Sequence, residues 1–463
     1  MVDLNWSFRL HTQPTAITTG PHAFTSYSLL LAAIASLSGL LFGFDTAIVN
    51  GGLVLLRHQF RLTNLQTEAA ASALLVGAVI GAACAGTLGD RFGRRRMLFI
   101  ASLFFGVSSI GAALPANLLQ FEIARLIGGI AIGVASSLAP LYIAETAPRQ
   151  YRGFLVTLNQ LAIVLGILIS FFVSWRLSVL GEGAWRWMFG VGVVPALALL
   201  LGLFFIPESP RWLASHGQES KALAILARTL GMHRGEVEMN TILAELNSER
   251  RVHISLASRA LRKPLLIAIT LAVLQQVTGI NTVLYYGAIL FSEHVGSNPV
   301  FAIGANVLIG FVNLLGTILS MMVMDKFGRK PLLVTSSIGM GVCLLMLAGS
   351  FHLSHPPTVL ILTTLLLYVM CFASGMGPVV WVYIAEIFPA EVRARAVSVA
   401  TVALWSGCCL VTLTFLTLIQ RLGTACTFLI YALLSLATAC FAVCCMPETK
   451  GRSLEEIATS WHE

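Results

Sequence analysis

Residues 29–56 read LLLAAIASLSGLLFGFDTAIVNGGLVLL, and Asp45 is the one charged side chain in this stretch. About 20 apolar residues are enough for a helix to cross the hydrocarbon core of a membrane, so the stretch predicts a transmembrane helix. A carboxylate at that depth costs about 3 kcal/mol unless it is paired, protonated or in contact with water. Asp45 could lie near a helix end and reach the headgroups, but the apolar run that continues to Leu56 favours an internal aqueous cavity.

The composition extends this pattern to the whole chain. Of the 463 residues, 57% are hydrophobic and only 11% are charged, whereas soluble domains carry roughly 25% charged residues. Twelve apolar runs of membrane-spanning length follow one another, and the sequence shows none of the short alternating strands typical of a β-barrel. We therefore expect an all-α membrane protein with twelve transmembrane helices.

The hydropathy pattern divides the chain into five segments. Residues 27–206 and 264–446 each hold six spans, and the polar residues 207–263 between them have the periodicity of short amphipathic helices. Residues 1–26 lack the features of a signal peptide and are interpreted as an N-terminal tail, and residues 447–463 form a second tail. We expect two six-helix halves joined by a helical linker.

The distribution of charge predicts the orientation of the chain. A net charge of +8 could suggest nucleic acid, but the basic residues cluster in alternate loops between apolar segments. This is the positive-inside pattern, so we expect both termini and the linker to be cytoplasmic and no nucleic acid to bind. All nine cysteines lie in apolar segments without metal-ligand spacing, and neither a metal nor a cofactor is expected.

Three motifs recur in the same order in the two halves, roughly 240 residues apart. The pairs are Gly89–Arg95 with Met324–Lys330, Tyr142–Glu145 with Tyr383–Glu386, and Pro207–Ser209 with Pro447–Thr449. Three ordered matches indicate that six spans were duplicated. An even number of spans keeps both copies in the same orientation, as in the parallel halves of major facilitator transporters.

The repeated motifs place acidic and basic side chains together at one end of the spans. Ion pairs between these helix ends would hold that side closed in one conformation and break in the other. Alternatively, the basic residues form a solvated face that only determines orientation. The residues concerned are Asp90, Arg91, Arg94, Glu145, Arg152, Glu208, Asp325, Arg329, Glu386, Arg393 and Glu448.

The chain resembles the sugar porters of the major facilitator superfamily, which include bacterial and plant sugar–proton symporters and animal facilitative glucose transporters. The motifs that carry the resemblance are GDRFGRRR from Gly89, PESPRWL from Pro207, QQVTGIN from Gln275, DKFGRK from Asp325 and PETKGRSLEEI from Pro447. The resemblance implies a sugar substrate that binds between two halves, which rock to expose it on alternate sides.

Span seven carries the amides Gln275, Gln276 and Asn281 together with Tyr285. Amides donate and accept hydrogen bonds, as a neutral polyol requires, although they could equally hold helices together. On a regular helix Gln276 and Asn281 would point about 140° apart, so we expect a local break at Gly279 to bring them to one cavity. The resemblance implies that the three amides contact the sugar.

The resemblance adds further positions to the predicted sugar site. Gln160 on span five and Asn313 on span eight match polar contacts of the family. Trp381 and Trp405 fit the site because an aromatic face packs on the apolar face of a pyranose; the alternative is an interfacial tryptophan. Leu404 stands where relatives place an amide, which puts the identity of the sugar in doubt.

Arg125 on span four matches the arginine that faces the acid of span one in proton-coupled relatives. An arginine close to Asp45 would favour its charged form, and separation of the two in one conformation would let Asp45 take up a proton. The alternative is a static structural pair. Some symporters carry a second acid at the position of Gly192, so a proton relay would rest on Asp45 alone.

Together these features predict a secondary active transporter that moves a hexose or pentose, with proton symport through Asp45. The alternatives are a facilitative uniporter with a structural pair between Asp45 and Arg125, and a non-transporting sugar sensor. No nucleophile–base spacing points to an enzyme. The expected partners are a monosaccharide, a proton and the lipid bilayer; a monomer suffices, in the inner (plasma) membrane of a bacterium.

Overall fold

The computed structural model describes residues 26–148, 151–251, 258–294, 299–353, 357–388 and 390–450. In these ranges twelve helices, some of them interrupted, are long and apolar enough to cross a membrane, and no strand occurs. The predicted all-α architecture with twelve spans is therefore confirmed. The predicted N-terminal tail, up to residue 25, and residues 451–463 of the C-terminal tail lie outside the described residues.

The first six spans comprise seven helices. They are α1 Ser26–Phe60, α2 Asn64–Phe92, α3 Arg94–Ala113, α4 Leu118–Thr146, α5 Arg152–Leu177, α6 Ala184–Gly190 and α7 Val193–Gly202. Span six is interrupted between α6 and α7. A Cβ added at Gly192 in this interruption would lie 2.6 Å from the Oγ of Ser109, so the site has no room for the acid found in some symporters.

Three linker helices follow, α8 Pro210–Ser215, α9 Glu219–Leu230 and α10 Met232–Arg251. They share a small apolar core that includes Trp212 and Leu226. The linker is also tied to the first half, because the indole Nε1 of Trp212 donates to the carbonyl of Asp90 at 2.9 Å. Arg228 of α9 lies over the ring of Tyr27 in α1 at 4.0 Å.

The last six spans comprise eight helices. They are α11 Arg259–Val277, α12 Ile280–His294, α13 Pro299–Phe327, α14 Arg329–Ser350, α15 Thr358–Cys371, α16 Gly377–Glu386, α17 Ala390–Leu422 and α18 Thr424–Cys445. Span ten consists of α15 and α16 joined by a π turn, Phe372–Met376. Such a turn frees backbone carbonyls from the regular hydrogen-bond pattern, and it is common at functional sites.

Span seven is broken at Gly279, as predicted. This residue lies between α11 and α12 with φ +90°, a conformation that side chains with a Cβ rarely adopt. A Cβ there would also lie 2.7 Å from the Tyr431 ring of α18. Both the backbone conformation and the close approach of α18 therefore require glycine.

Two sides of the bundle are distinguished below. The basic face is the side where α2 ends and α3 begins, and it carries Arg94 and its repeat Arg329. The opposite face is the side where α1 ends and α2 begins. Because successive spans alternate in direction, the helix ends of both halves that carry the repeated motifs meet at the basic face.

Candidate functional site

Asp45 of α1 and Arg125 of α4 form a buried ion pair within the first half. Arg125 Nη1 lies 2.5 Å from Asp45 Oδ1, and Nη2 donates to the Asp45 backbone carbonyl at 3.0 Å. The Arg125 side chain is only 1% exposed, and its guanidinium lies over the Phe189 ring at 5.3 Å. The two predicted partners are therefore in contact. The buried charges are both paired and hydrogen-bonded, as their burial requires.

One oxygen of this pair is left without a partner. Asp45 Oδ2 makes no hydrogen bond to any described residue, and neither does the Oγ of Ser108 on α3. The two atoms lie beside Gly128, where an added Cβ would be 3.3 Å from Oδ2 and 2.3 Å from the serine oxygen. A carboxylate oxygen can accept two hydrogen bonds. Oδ2 is therefore the atom of the pair that can bind a water molecule or a proton.

The amides of span seven join into one hydrogen-bonded chain. Asn281 Nδ2 donates to Gln276 Oε1, and Gln276 Nε2 donates to Gln275 Oε1 at 3.0 Å. Gln275 Nε2 in turn donates to the carbonyls of Met376 and Gly377, both at 3.0 Å. The break between α11 and α12 thus brings the amides together, and the chain ends on the π turn of span ten.

Gln160, Asn313 and Trp381 form no side-chain hydrogen bond to another described residue. Gln160 and Trp381 are half-buried, and Asn313 is buried. Buried polar groups are normally paired with protein or water, so these side chains have donors and acceptors left for a ligand. Trp381 follows the π turn on α16, which connects its position to the amide chain of span seven.

Trp405 and Tyr285 of the predicted sugar site are both buried, 3% and 0% exposed. Trp405 of α17 packs edge-on against Phe42 of α1 with ring centroids 5.3 Å apart, and its Nε1 has no partner among the described residues. The Tyr285 hydroxyl faces Thr46, the residue after Asp45, without a well-aligned hydrogen bond. Trp405 is therefore not an interfacial tryptophan but joins the two halves.

An ionic cluster lies on the basic face of the first half. Arg94 Nε is 3.1 Å from Glu145 Oε2, and Arg94 Nη1 is 2.9 Å from Asp90 Oδ1. The hydroxyl of Ser209 donates to the same glutamate. These contacts connect α2, α3, α4 and the start of the linker. The predicted pairs thus join helix ends within one half, not across the two halves.

The second half repeats this cluster. Arg329 Nη2 is 2.8 Å from Glu386 Oε1, and Arg329 Nη1 is 3.2 Å from Asp325 Oδ1. Thr449 takes the place of the serine and donates its hydroxyl to Glu386 at 2.6 Å. The agreement between the two clusters supports the inference of a duplicated six-span unit.

Glu208 and Glu448 bind backbone amides at helix starts, where the sequence analysis expected arginine side chains. Glu208 accepts from the N–H groups of Arg95 at 2.9 Å and Ser209 at 3.0 Å. Burial raises the pKa of Glu448, but its backbone donors outweigh burial and hold that pKa below its ordinary value. The donors are the N–H groups of Arg329, Lys330, Thr449 and Lys450.

Three further arginines have contacts that the sequence analysis did not predict. Arg91 lies over the ring of the following phenylalanine at 5.2 Å and forms no ion pair with a described residue. Arg152 approaches Glu238 of linker helix α10 at 4.0 Å. Arg393 Nε donates to the carbonyl of Phe388 at 3.3 Å. The linker and the local backbone thus provide partners that the repeated motifs do not reveal.

Asn50 was missed by the sequence analysis, although it lies in the same apolar stretch as Asp45. Its Nδ2 donates to the carbonyl of Leu284 at 2.9 Å, and its Oδ1 accepts from the N–H of Ala288 at 3.0 Å. In a regular helix those two backbone groups would bond each other. The Asn50 amide from the first half is therefore inserted into α12 of the second.

Comparison with known proteins gives consistent matches along the chain. The family model described as “Sugar (and other) transporter” matches residues 31–461. The arabinose-proton symporter of Bacillus subtilis (strain 168) is 36% identical, over 97% of this chain and 98% of the relative. The glucose transport protein of Synechocystis sp. (strain ATCC 27184 / PCC 6803 / Kazusa) is 36% identical, over 96% of this chain and 100% of the relative.

The solved structures include a similar fold along nearly the whole chain. The xylose transporter of E. coli, in a partially occluded inward-open conformation, superimposes with a TM-score of 0.83 at 34% sequence identity. The match covers 93% of this chain and 100% of the solved one. The twelve spans and the helical linker thus have the major facilitator fold.

Proposed function

We propose that this chain, which belongs to the sugar transporter family, is a secondary active transporter that moves a hexose or pentose by alternating access together with a proton. The names of its relatives support the class of substrate, since they refer to arabinose, glucose and xylose. The observation that carries the proposal is the buried pair of Asp45 and Arg125, in which one carboxylate oxygen has no partner among the residues that the structure describes.

We propose that the sugar binds between the halves at the amide chain of span seven. The hydrogen bonds among these amides leave the remaining donors and acceptors of Gln276 and Asn281 available for the hydroxyl groups of a sugar. The π turn holds Gln275 in place. The aromatic side chains supply apolar faces. The proposed set is Gln160, Gln275, Gln276, Asn281, Tyr285, Asn313, Trp381 and Trp405.

The proton step follows from the cost of an unpaired buried charge. While Arg125 Nη1 lies beside Asp45 Oδ1, the carboxylate is stabilised in its charged form. A movement of α4 relative to α1 that separates the pair leaves a buried carboxylate without its counter-charge, and such a group takes up a proton. Protonation at Oδ2 would thereby favour the conformation in which the pair is apart.

We propose that the basic face lies in the cytoplasm and that both termini are on that side of the plasma membrane, in accordance with the distribution of Lys and Arg. The ionic clusters at Arg94 and Arg329 would then hold the cytoplasmic helix ends of each half together as a rigid unit. A change in their contacts with the linker would accompany the rocking of the halves.

Reconstituted protein tests the proposal. Wild-type protein in liposomes is expected to concentrate labelled arabinose, xylose or glucose when an inward proton gradient is applied. Asp45→Asn should still exchange labelled for unlabelled sugar but should not concentrate it, because the amide cannot titrate. Glu122→Gln is the matched control, since it removes a half-buried acid at the start of the Arg125 helix, and accumulation should persist.

Two outcomes would change the conclusion. If Asp45→Asn still concentrates sugar in response to the pH gradient, proton coupling through Asp45 is wrong. If wild-type protein only equilibrates sugar, the chain is a uniporter in which the pair with Arg125 is structural. The second hydrogen bond from Arg125 to the Asp45 carbonyl is the observation that favours this alternative.

A further inference from the structure

Glu68 is a fully buried acid that takes part in neither the proposed sugar site nor the proposed proton step. It lies near the start of α2 and is 0% exposed. Its Oε1 accepts from the backbone N–H of Thr417 at 2.7 Å, and its Oε2 accepts from the Thr417 hydroxyl at 2.6 Å. Because α2 belongs to the first half and α17 to the second, the carboxylate joins the halves on the opposite face.

The surroundings of Glu68 make this contact energetically important. No described basic side chain is within ion-pair distance of it, and the phenols of Tyr286 on α12 and Tyr431 on α18 lie within electrostatic range of it. A buried carboxylate without a counter-charge is stable only if its oxygens are hydrogen-bonded. The two donors of Thr417 provide these bonds only while α2 and α17 are in contact.

The same arrangement occurs a second time on this face. Asn50 of the first half inserts its amide into the backbone of α12, as Glu68 inserts its carboxylate at an amide of α17. Side chains of one half thus bind backbone groups of α12 and α17 in the other half. These backbone groups can bond within their own helices once the halves separate.

A cavity lies beside the Glu68 contact. A cavity of about 680 Å³ on the opposite face is lined by residues that include Asn64, Thr417 and Gln420. Asn64, which precedes Glu68 by four residues on α2, donates from its Nδ2 to Gln420 Oε1 at 3.0 Å. Glu68 and Thr417 therefore lie at the boundary between the cavity and the buried interface of the halves.

We propose that Glu68 is a positioning residue of the transport cycle: its hydrogen bonds to Thr417 hold the opposite face closed, and they break when that face opens. The role in transport rests on the proposed function, whereas the contact between the halves does not. Glu68 touches neither the sugar site nor Asp45. It acts by setting the fraction of molecules in which the opposite face is open.

Hydrogen–deuterium exchange of the full chain in nanodiscs tests the contact directly. Glu68→Ala should accelerate exchange about tenfold in peptides that contain Thr417, because two hydrogen bonds to one carboxylate are lost. Glu68→Gln and Thr417→Val should each accelerate it about threefold, since each keeps part of the contact. Leu65→Ala is the matched control, because Leu65 is on the same helix and 68% exposed, and exchange should not change.

Transport provides a second readout that a merely destabilised protein would not give. When the open fraction rises, the apparent affinity for sugar added on the opposite face rises in proportion. The KM for sugar added on that face should therefore fall about threefold in Thr417→Val, while the rate of sugar exchange at saturating sugar is maintained. A misfolded variant would instead lose the maximal rate of sugar exchange.

The two readouts separate the possible failures. If neither Glu68→Gln nor Thr417→Val alters deuterium exchange or KM, the role assigned to Glu68 is wrong. If wild-type protein moves no sugar but the variants still accelerate deuterium exchange, the proposed transport function fails and the contact between the halves stands.

Discussion

Replacing Gly279 by alanine should disrupt the proposed sugar site without changing any residue of the proposed set. Gly279 lies at the break of span seven with φ +90°, and the break brings Gln276 and Asn281 into hydrogen-bond contact. An alanine either adopts this conformation at a cost or draws α11 and α12 towards a continuous helix. Both results weaken the amide chain.

The magnitude follows from two contributions. A residue with a Cβ held at positive φ costs about 1–3 kcal/mol. The new Cβ would also lie 2.7 Å from the Tyr431 ring, and overpacking of this kind costs about 1–3 kcal/mol. We therefore expect a loss of about 2–6 kcal/mol, shared between stability and sugar binding.

Thermal unfolding and sugar binding of the purified protein measure the two effects. Gly86→Ala is the control, because a Cβ at Gly86 meets no atom within 4 Å and alanine favours a helix interior. Gly279→Ala with Tyr431→Leu should recover the packing part of the loss but not the backbone part. If Gly279→Ala unfolds at the wild-type temperature and binds sugar normally, the break is not required and the reasoning is refuted.

Three further predictions concern the amide chain and the basic face. Gln275→Leu should weaken sugar binding about tenfold or more, because both bonds to the π turn are lost; equilibrium dialysis with labelled sugar measures this. Arg329→Ala should lower the unfolding temperature because Glu386 loses its charged partner and keeps only the hydrogen bond from Thr449, whereas Arg91→Ala, without an ion pair among the described residues, should not. Because its folded-state pKa is lowered, Glu448 stabilises the fold above about pH 4.5 and loses this effect as pH falls through the folded-state value. Glu448→Gln should therefore destabilise at pH 7 and converge with wild type in acid, as seen by thermal unfolding across pH.

Local patterns accounted for the features that depend on neighbouring residues in the chain. Twelve spans follow from hydropathy because each helix must bury its own backbone polar groups in lipid. The break at Gly279 followed from the spacing of Gln276 and Asn281, which a regular helix cannot bring together. The contact between Asp45 and Arg125 was expected from the family resemblance, and its geometry agrees.

The misassigned features concern which atom a side chain binds. The repeat placed Glu208 close to arginines, but the acid binds the backbone amides of Arg95 in α3 and of Ser209, and the identity of the donors depends on where the chain returns after span six. Arg152 was assigned to the ionic cluster, and only the folded linker shows that Glu238 lies 4.0 Å from it. The types of acidic and basic residues in the sequence cannot distinguish the expected partner from the observed one, because either partner would stabilise the same charge.

The sequence by itself determined the membrane class of this protein, its duplicated halves and the chemical character of its site, since hydrophobicity, repetition and residue type are properties of the chain. Only the tertiary structure decided that Oδ2 of Asp45 has no partner in the described part of the chain and that Asn50 and Glu68 bind the backbone of the other half. These contacts join residues more than 200 positions apart. They depend on how two rigid halves meet, and no local pattern encodes that geometry.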